Sequence, residues 1–166
     1  MIFVTVGTHE QPFNRLVKKV DDLVAQGNIK EKVVIQTGFS TYNATHCEAH
    51  KMMSFDEMHQ ALKDARIVIT HGGPSSFIEA LQFGKVPIVV PRREEYNEHV
   101  NDHQVDFTKL IEKRMNNIIP VYDINQLFET IKNYDEISKN KNAGKSSNNN
   151  IFNRKLENIV NNLMEK

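Results

Sequence analysis

What most constrains this chain is a recurring unit: a short run of apolar, β-branched residues that stops at a glycine or proline, followed by apolar positions at helical spacing. Met1-Ile2-Phe3-Val4-Thr5-Val6 stops at Gly7, and Val33-Val34-Ile35-Gln36-Thr37 stops at Gly38. Arg66-Ile67-Val68-Ile69-Thr70 runs into His71-Gly72-Gly73, and Val86-Pro87-Ile88-Val89-Val90 stops at Pro91. Runs this continuously apolar predict strands buried on both faces, as in a parallel sheet. After Pro12, which suits a first helical turn, Phe13, Leu16, Val17, Val20, Leu23 and Val24 predict an amphipathic helix ending near Gly27. Ser54 and Glu57 form a capping-box pattern ahead of Met58, Ala61 and Leu62, and residues 75–83 predict a helix closed by Gly84. The segment from Arg92 leads into a helix carrying Val100, Val105, Phe107, Leu110 and Ile111. A last strand over residues 118–122 and a helix with Leu127, Phe128 and Ile131, capped by Asp123 with Gln126, complete the pattern. Residues 40–50 are ambiguous, with one short strand near Cys47. The alternation predicts an α/β fold, a Rossmann-like parallel sheet with helices on both faces. Ligands of such sheets bind outside the carboxyl ends of the strands.

At 166 residues the chain suits one domain with its own core. Its formal net charge of +0 argues against a general attraction to nucleic acid. The single cysteine, Cys47, and the absence of a secretory signal point to a reducing cytoplasm. No apolar stretch approaches the roughly 20 residues that span a bilayer, so any membrane contact is expected to be local. The expected division is a domain over residues 1–137, a flexible linker over 138–150 and an amphipathic helix over 151–166. That helix carries Ile151, Phe152, Leu156, Ile159, Val160, Leu163 and Met164 on its apolar stripe, and either folds back or docks on a partner.

The turn His71-Gly72-Gly73-Pro74-Ser75-Ser76 joins a strand to a helix, the arrangement that holds a phosphate through close backbone approach, unpaired N–H groups and the helix dipole. The bland alternative is a tight connection in which Ser75 or Ser76 caps the helix and Glu79 completes the box. Glu79, one turn inside, suits paired ribose hydroxyls better than phosphate. Gly7-Thr8-His9-Glu10 offers a second glycine turn, with His9 as general base, phosphate donor or plain exposed loop residue. Residues 92–104 are dense in hydrogen-bonding groups, which suits a ligand rich in hydroxyls or a solvated loop. His99 and His103 stand four apart and are a candidate metal pair. No His-Glu-x-x-His and no Asp-x-Asp pattern occurs, so the expected chemistry uses no metal and no cofactor, with dipoles and N–H groups carrying the leaving group's charge. No Gly-x-Gly-x-x-Gly fingerprint is present, which opposes a nicotinamide-dependent oxidoreductase.

Taken in order, Phe3-Val4-Thr5-Val6-Gly7-Thr8, the 71–76 turn with Glu79-Ala80, Gly84-Lys85-Val86-Pro87, Val90-Pro91 and residues 99–104 resemble the carboxyl-terminal domain of glycosyltransferase family 28 over residues 1 to about 135. That family includes the lipid II-forming peptidoglycan transferase and the catalytic subunit of the two-part dolichol-pathway N-acetylglucosaminyltransferase. The pattern is most similar to single-domain capsular and exopolysaccharide transferases of bacteria. The resemblance implies the donor-binding half of a GT-B enzyme that inverts the anomeric centre of a UDP-sugar without metal. It implies diphosphate contacts from Gly7, Thr8, His71, Gly72, Gly73, Pro74, Ser75 and Ser76, ribose contacts from Glu79, and uracil contacts from Met53 and Phe55. It directs Asn97, Glu98, His99 and Gln104 to the transferred hexose, galactose being favoured by likeness to capsular galactosyltransferases. It also implies a lipid-linked acceptor and a membrane-anchored partner that supplies the acceptor-binding half and recruits the chain to the inner membrane face. The catalytic base is His9, Glu10 or a group of that partner. A non-catalytic nucleotide-sugar-binding or enhancer subunit remains an alternative.

Overall fold

The computed structural model describes residues 1–142. The first apolar run, Ile2–Thr5 (β1), is buried at every position, because it lies between two neighbours in the middle of a six-stranded sheet. Val33–Gln36 (β2) pairs with it on one side and Ile67–His71 (β4) on the other, both parallel, with Val4 opposite Ile35 and Ile69. Glu48–His50 (β3) extends the sheet beyond β2, and Ile88–Val90 (β5) with Ile119–Pro120 (β6) extends it beyond β4. The order β3-β2-β1-β4-β5-β6 is all parallel, and its direction of growth reverses between β1 and β4. At that reversal the connections leave to opposite faces and open a crevice at the carboxyl ends of the strands.

The helices are Asn14–Ala25 (α1), Phe55–Asp64 (α2), Pro74–Gln82 (α3), His103–Met115 (α4), Leu127–Lys132 (α5) and Tyr134–Lys139 (α6). Strand residues alternate between faces. Ile2, Val4, Ile35, Ile69 and Ile88 pack with Leu16, Val17 and Val20 of α1 and with Leu127, Ile131 and Tyr134. Phe3, Val34 and Val68 face Ala61, Leu62 and Ala80 on the other side, and Val89 meets Phe77 with Phe107 beside it. Tyr134 is anchored in its core by donating from its hydroxyl to Val86 O at 2.9 Å. The expected capping box forms, with Ser54 Oγ accepting from Glu57 N and the Glu57 carboxylate accepting from Ser54 N.

Three expectations are corrected. First, α3 starts at Pro74 behind Gly73, with no side-chain cap, so neither Ser75 nor Ser76 is the N-cap; the proline's fixed φ and missing N–H suit the first helical position. Second, Val100 is 69% exposed and outside any helix, because residues 93–102 are drawn into a loop around the buried Glu98 and α4 begins only at His103. Third, α6 runs through Lys139 and Asn142 N donates to Asn116 O, so the chain stays on the domain past the expected linker start at 138. The rest of that linker and the helix over 151–166 lie outside the described residues.

One acidic residue that the apolar pattern of α1 conceals organises the approach to β3. Asp21 is fully buried and accepts hydrogen bonds from the Thr45, His46 and Cys47 amides, from the Tyr42 hydroxyl and from the His46 ring. Burial by itself raises its pKa, but the His46 and Thr45 amides and the His46 and Tyr42 side chains outweigh this and hold the carboxyl down at about 2. A carboxyl depressed this far contributes about 2 kcal/mol above its unfolded pKa, and the contribution is lost as pH falls through the folded value. Urea unfolding at neutral pH should therefore find Asp21→Asn less stable by about 2 kcal/mol, with the gap to wild type closing as pH drops toward 2. A gap independent of pH would show that the carboxylate's charge plays no part.

Candidate functional site

The crevice between β1 and β4 holds a cavity of about 440 Å³, lined by Thr5, Gly7, Thr8, His9, Gln36, Met52, Met53, Met58, His71, Ser75 and Ser76. A second cavity of about 450 Å³ lies at the amino-terminal ends of the strands, beside Asn28, Ile29 and Phe128. Its one guanidinium, Arg66, is already engaged by Glu31 and Asp135. Of these two, the first lies where α/β folds present helix N-termini to ligands.

His71, the last residue of β4, organises this crevice. Its imidazole fills the space between two glycines. A Cβ on Gly7, whose φ is +75°, would lie 2.5 Å from Nε2, and one on Gly73 would collide with the same ring. Gly73 N donates to Nδ1 at 3.0 Å, so the neutral ring carries its proton on Nε2, 2.9 Å from Ser76 Oγ. Burial, with the nearby charge of Arg92, pushes the His71 pKa down to about 4, so the ring is neutral at physiological pH. Ser76 Oγ accepts from His71, which leaves its own hydrogen to donate elsewhere. The amides of Ser75 and Ser76 lie in the first turn of α3, where no intrahelical partner exists and no side chain caps them. Two amides, one hydroxyl hydrogen and the dipole end of a nine-residue helix thus converge on the cavity.

The glycine amides are spent otherwise. Gly72 N donates to Gln104 Oε1 at 3.0 Å, and Gly7 N to Gln36 Oε1 at 3.2 Å. Gln36 also accepts from the Thr5 hydroxyl at 2.7 Å and donates to Gly7 O at 3.1 Å, bracketing the Gly7 peptide. These glycines therefore shape the turns rather than offer N–H groups. Pro74 faces a different, apolar groove with His103, Phe107 and Leu110.

The loop after β5 is rearranged relative to expectation. Glu98, expected at the hexose, is 2% exposed; it pairs with Arg15 at 2.8–2.9 Å and accepts from Arg93 N at 3.1 Å. Gln104, also expected there, is buried, and its Oε1 ties Gly72 N to Arg92 N at 3.2 Å. Asn97 is exposed in the left-handed region at φ 55°, a conformation asparagine tolerates. His99 is buried, packing edge-on against His9 at 4.4 Å and His103 at 4.3 Å between ring centroids. Glu10 is exposed and does not line the cavity. Glu79 lies one turn along α3, with Oε1 3.0 Å from Nε2 of His59, and Phe55 stacks on that same imidazole at 3.8 Å. Among the described residues no group of three or more His, Cys, Asp or Glu is placed to hold a metal ion, and no helix is long and apolar enough to cross a membrane.

Arg92, expected only as the first residue of a ligand-facing or solvated polar segment, is neither. It is fully buried and donates to Val6 O at 2.9 Å, Gln11 O at 2.7 Å and Glu98 O at 3.0 Å. Burial lowers its pKa to about 10 against the pull of Glu98, so it stays charged at neutral pH. Gln36 carried a readable signal, since a polar residue inside a run buried on both faces needs a partner.

The family model for the glycosyltransferase family 28 C-terminal domain matches residues 1–163 of the chain. Among solved structures, the chain is similar to a glycotransferase of kitacinnamycin, with a TM-score of 0.53 at 13% identity over 84% of this chain and 36% of that one. It is also similar to the glycosyltransferase SnogD from Streptomyces nogalater, with a TM-score of 0.48 at 14% identity over 87% of this chain and 40% of that one. The first likeness is one of fold. The chain spans well under half the length of either structure. No curated protein matches it.

Arg92→Met leaves carbonyls of three segments without their donor while roughly keeping side-chain volume. It should destabilise the protein by about 3 kcal/mol in chemical unfolding, the usual scale for breaking a buried charged network, and should speed hydrogen exchange at the residues flanking Val6 and Gln11. Unchanged stability and exchange would show that Arg92 does not hold these loops.

Proposed function

Because the chain belongs to the glycosyltransferase family 28 C-terminal domain family, we propose that its crevice receives the diphosphate of a UDP-sugar and that the protein is the donor-binding, catalytic subunit of an inverting hexosyltransferase. The observation that carries this reading is the first turn of α3. The Ser75 and Ser76 amides and the Ser76 hydroxyl point one set of donors at a single cavity, without a lysine or arginine among its lining residues. Such a set binds an anion through dipoles and stabilises a leaving diphosphate without metal.

In the reaction, the acceptor hydroxyl oxygen bonds to the anomeric carbon on the face opposite the diphosphate. The bond from that carbon to the β-phosphate oxygen breaks, UDP leaves with the electron pair, and configuration inverts. Met53 and Met58 line the cavity and Phe55 stands exposed as the first residue of α2, which suits them to the flat faces of uracil. Glu79 takes the ribose hydroxyls, giving up or sharing its contact with His59. Galactose is the favoured hexose, and a capsular or exopolysaccharide product on a lipid-linked acceptor is the favoured setting. A membrane-anchored partner supplies the acceptor side at the inner membrane face and receives the 151–166 segment. The acceptor's proton goes to Glu10 or to a carboxylate of the partner. One observation favours the alternative of a nucleotide-sugar-binding subunit whose partner performs the chemistry: among the described residues no carboxylate lines the cavity, and Glu98 and Glu79 are both engaged elsewhere.

Calorimetric titration should find UDP binding and no comparable NAD binding, and Glu79→Ala should weaken UDP by about 1.5–3 kcal/mol, the range for lost hydrogen bonds to a charged group. NAD preferred over UDP would overturn the reading, and unchanged UDP affinity would remove Glu79 from the ribose. Transfer from UDP-galactose by the co-expressed pair, lost on removing either subunit's site residues, distinguishes catalysis from donor binding alone.

A further inference from the structure

We infer that His9 acts as a neutral hydrogen-bond donor to the donor substrate's diphosphate and not as the general base; this rests on the proposed nucleotide-sugar reading. The argument starts from the ring nitrogens. Gln11 N donates to His9 Nδ1 at 3.1 Å, so that lone pair is occupied and the neutral ring holds its proton on Nε2. His71 is locked the same way by Gly73 N at 3.0 Å, and His99 by Val100 N at 2.9 Å. The loops after β1 and β5 and the last residue of β4 thus each carry an imidazole whose Nδ1 is filled by a backbone amide and whose Nε2 bears hydrogen.

A general base must offer a lone pair to the proton it removes. With Nδ1 filled, His9 offers an N–H instead, and it lines the same cavity as Ser75 and Ser76. The edge-on contact of 4.4 Å with His99 limits how far the His9 ring can turn to exchange its nitrogens. A neutral imidazole N–H aimed at the leaving group strengthens its bond as negative charge builds there, so it contributes where the reaction needs it.

Glutamine and alanine at position 9 separate the roles, because a glutamine amide donates a hydrogen bond but cannot take up a proton at neutral pH. If His9 is a donor, His9→Gln keeps UDP affinity and transfer rate within a few-fold, while His9→Ala weakens UDP roughly tenfold or more. Long-range proton–nitrogen NMR on the free wild-type chain should find His9 protonated on Nε2, and UDP should shift that nitrogen's signal. The inference falls if His9 carries its proton on Nδ1. It also falls if UDP binds but neither variant changes its affinity, or if His9→Gln binds UDP normally yet loses transfer as fully as His9→Ala. Failure of wild type to bind UDP at all would instead sink the nucleotide-sugar reading, with the tautomer still read directly.

Discussion

Arg92 has no exposed surface, and its guanidinium joins carbonyls at the end of β1, in the loop that follows it and in the loop after β5. A charge buried this deeply needs its N–H groups met, and here three backbone carbonyls take the place of water at Nη1 and Nη2, while Nε has no hydrogen-bond partner. The guanidinium also stands 4.8 Å over the Phe13 ring, which closes its apolar side. Glu98 then completes the assembly through Arg15, and Gln104 carries it across to Gly72 at the head of α3. The three strand-end loops that build the crevice are therefore one connected body. Their relative placement follows from this network rather than from any loop's own propensity.

That rigidity bears on the chemistry. The cavity gathers amides, hydroxyls and imidazoles, with no lysine or arginine among the described residues that line it. Arg92 is occupied by carbonyls and acts at a distance: beside the larger effect of burial, its charge lowers the pKa of His71 and His99 and so helps to keep their rings neutral. On the proposed reading, amides, a serine hydroxyl and imidazole N–H groups fixed by the fold need no reorganisation as charge develops on a leaving diphosphate. On the same reading, the helix dipole and fixed N–H groups favour the anion.

The sheet was legible because its signals are local: continuous apolar strands, glycine turns and the Ser54–Glu57 box each lie within a few residues. The turn at residues 71–76 was legible as a strand-to-helix turn, although the groups it leaves free are the serine amides and hydroxyl, while its glycines admit the His71 ring. The roles of Glu98, Gln104 and Arg92 were not legible, because their partners are distant; Arg92 reaches Val6 across 86 residues. A polar loop residue reads as solvated or ligand-facing until the fold brings a partner to it. Asp21 hid for the same reason, its partners lying in a segment of no clear pattern. Tertiary capture also explains Val100: once Glu98 is held by Arg15 and the Arg93 amide, the chain around it cannot continue as helix.

The central claim is that donors from the β1 loop and the first turn of α3 form one anion-receiving site for a nucleoside diphosphate. Backbone amide shift mapping during titration of the full chain with UDP tests it most directly. The account predicts saturable shifts largest at Thr8, His9, Ser75 and Ser76, with the opposite groove around Asn28 and Phe128 unmoved. Shifts concentrated in that opposite groove, or none at all, would contradict it.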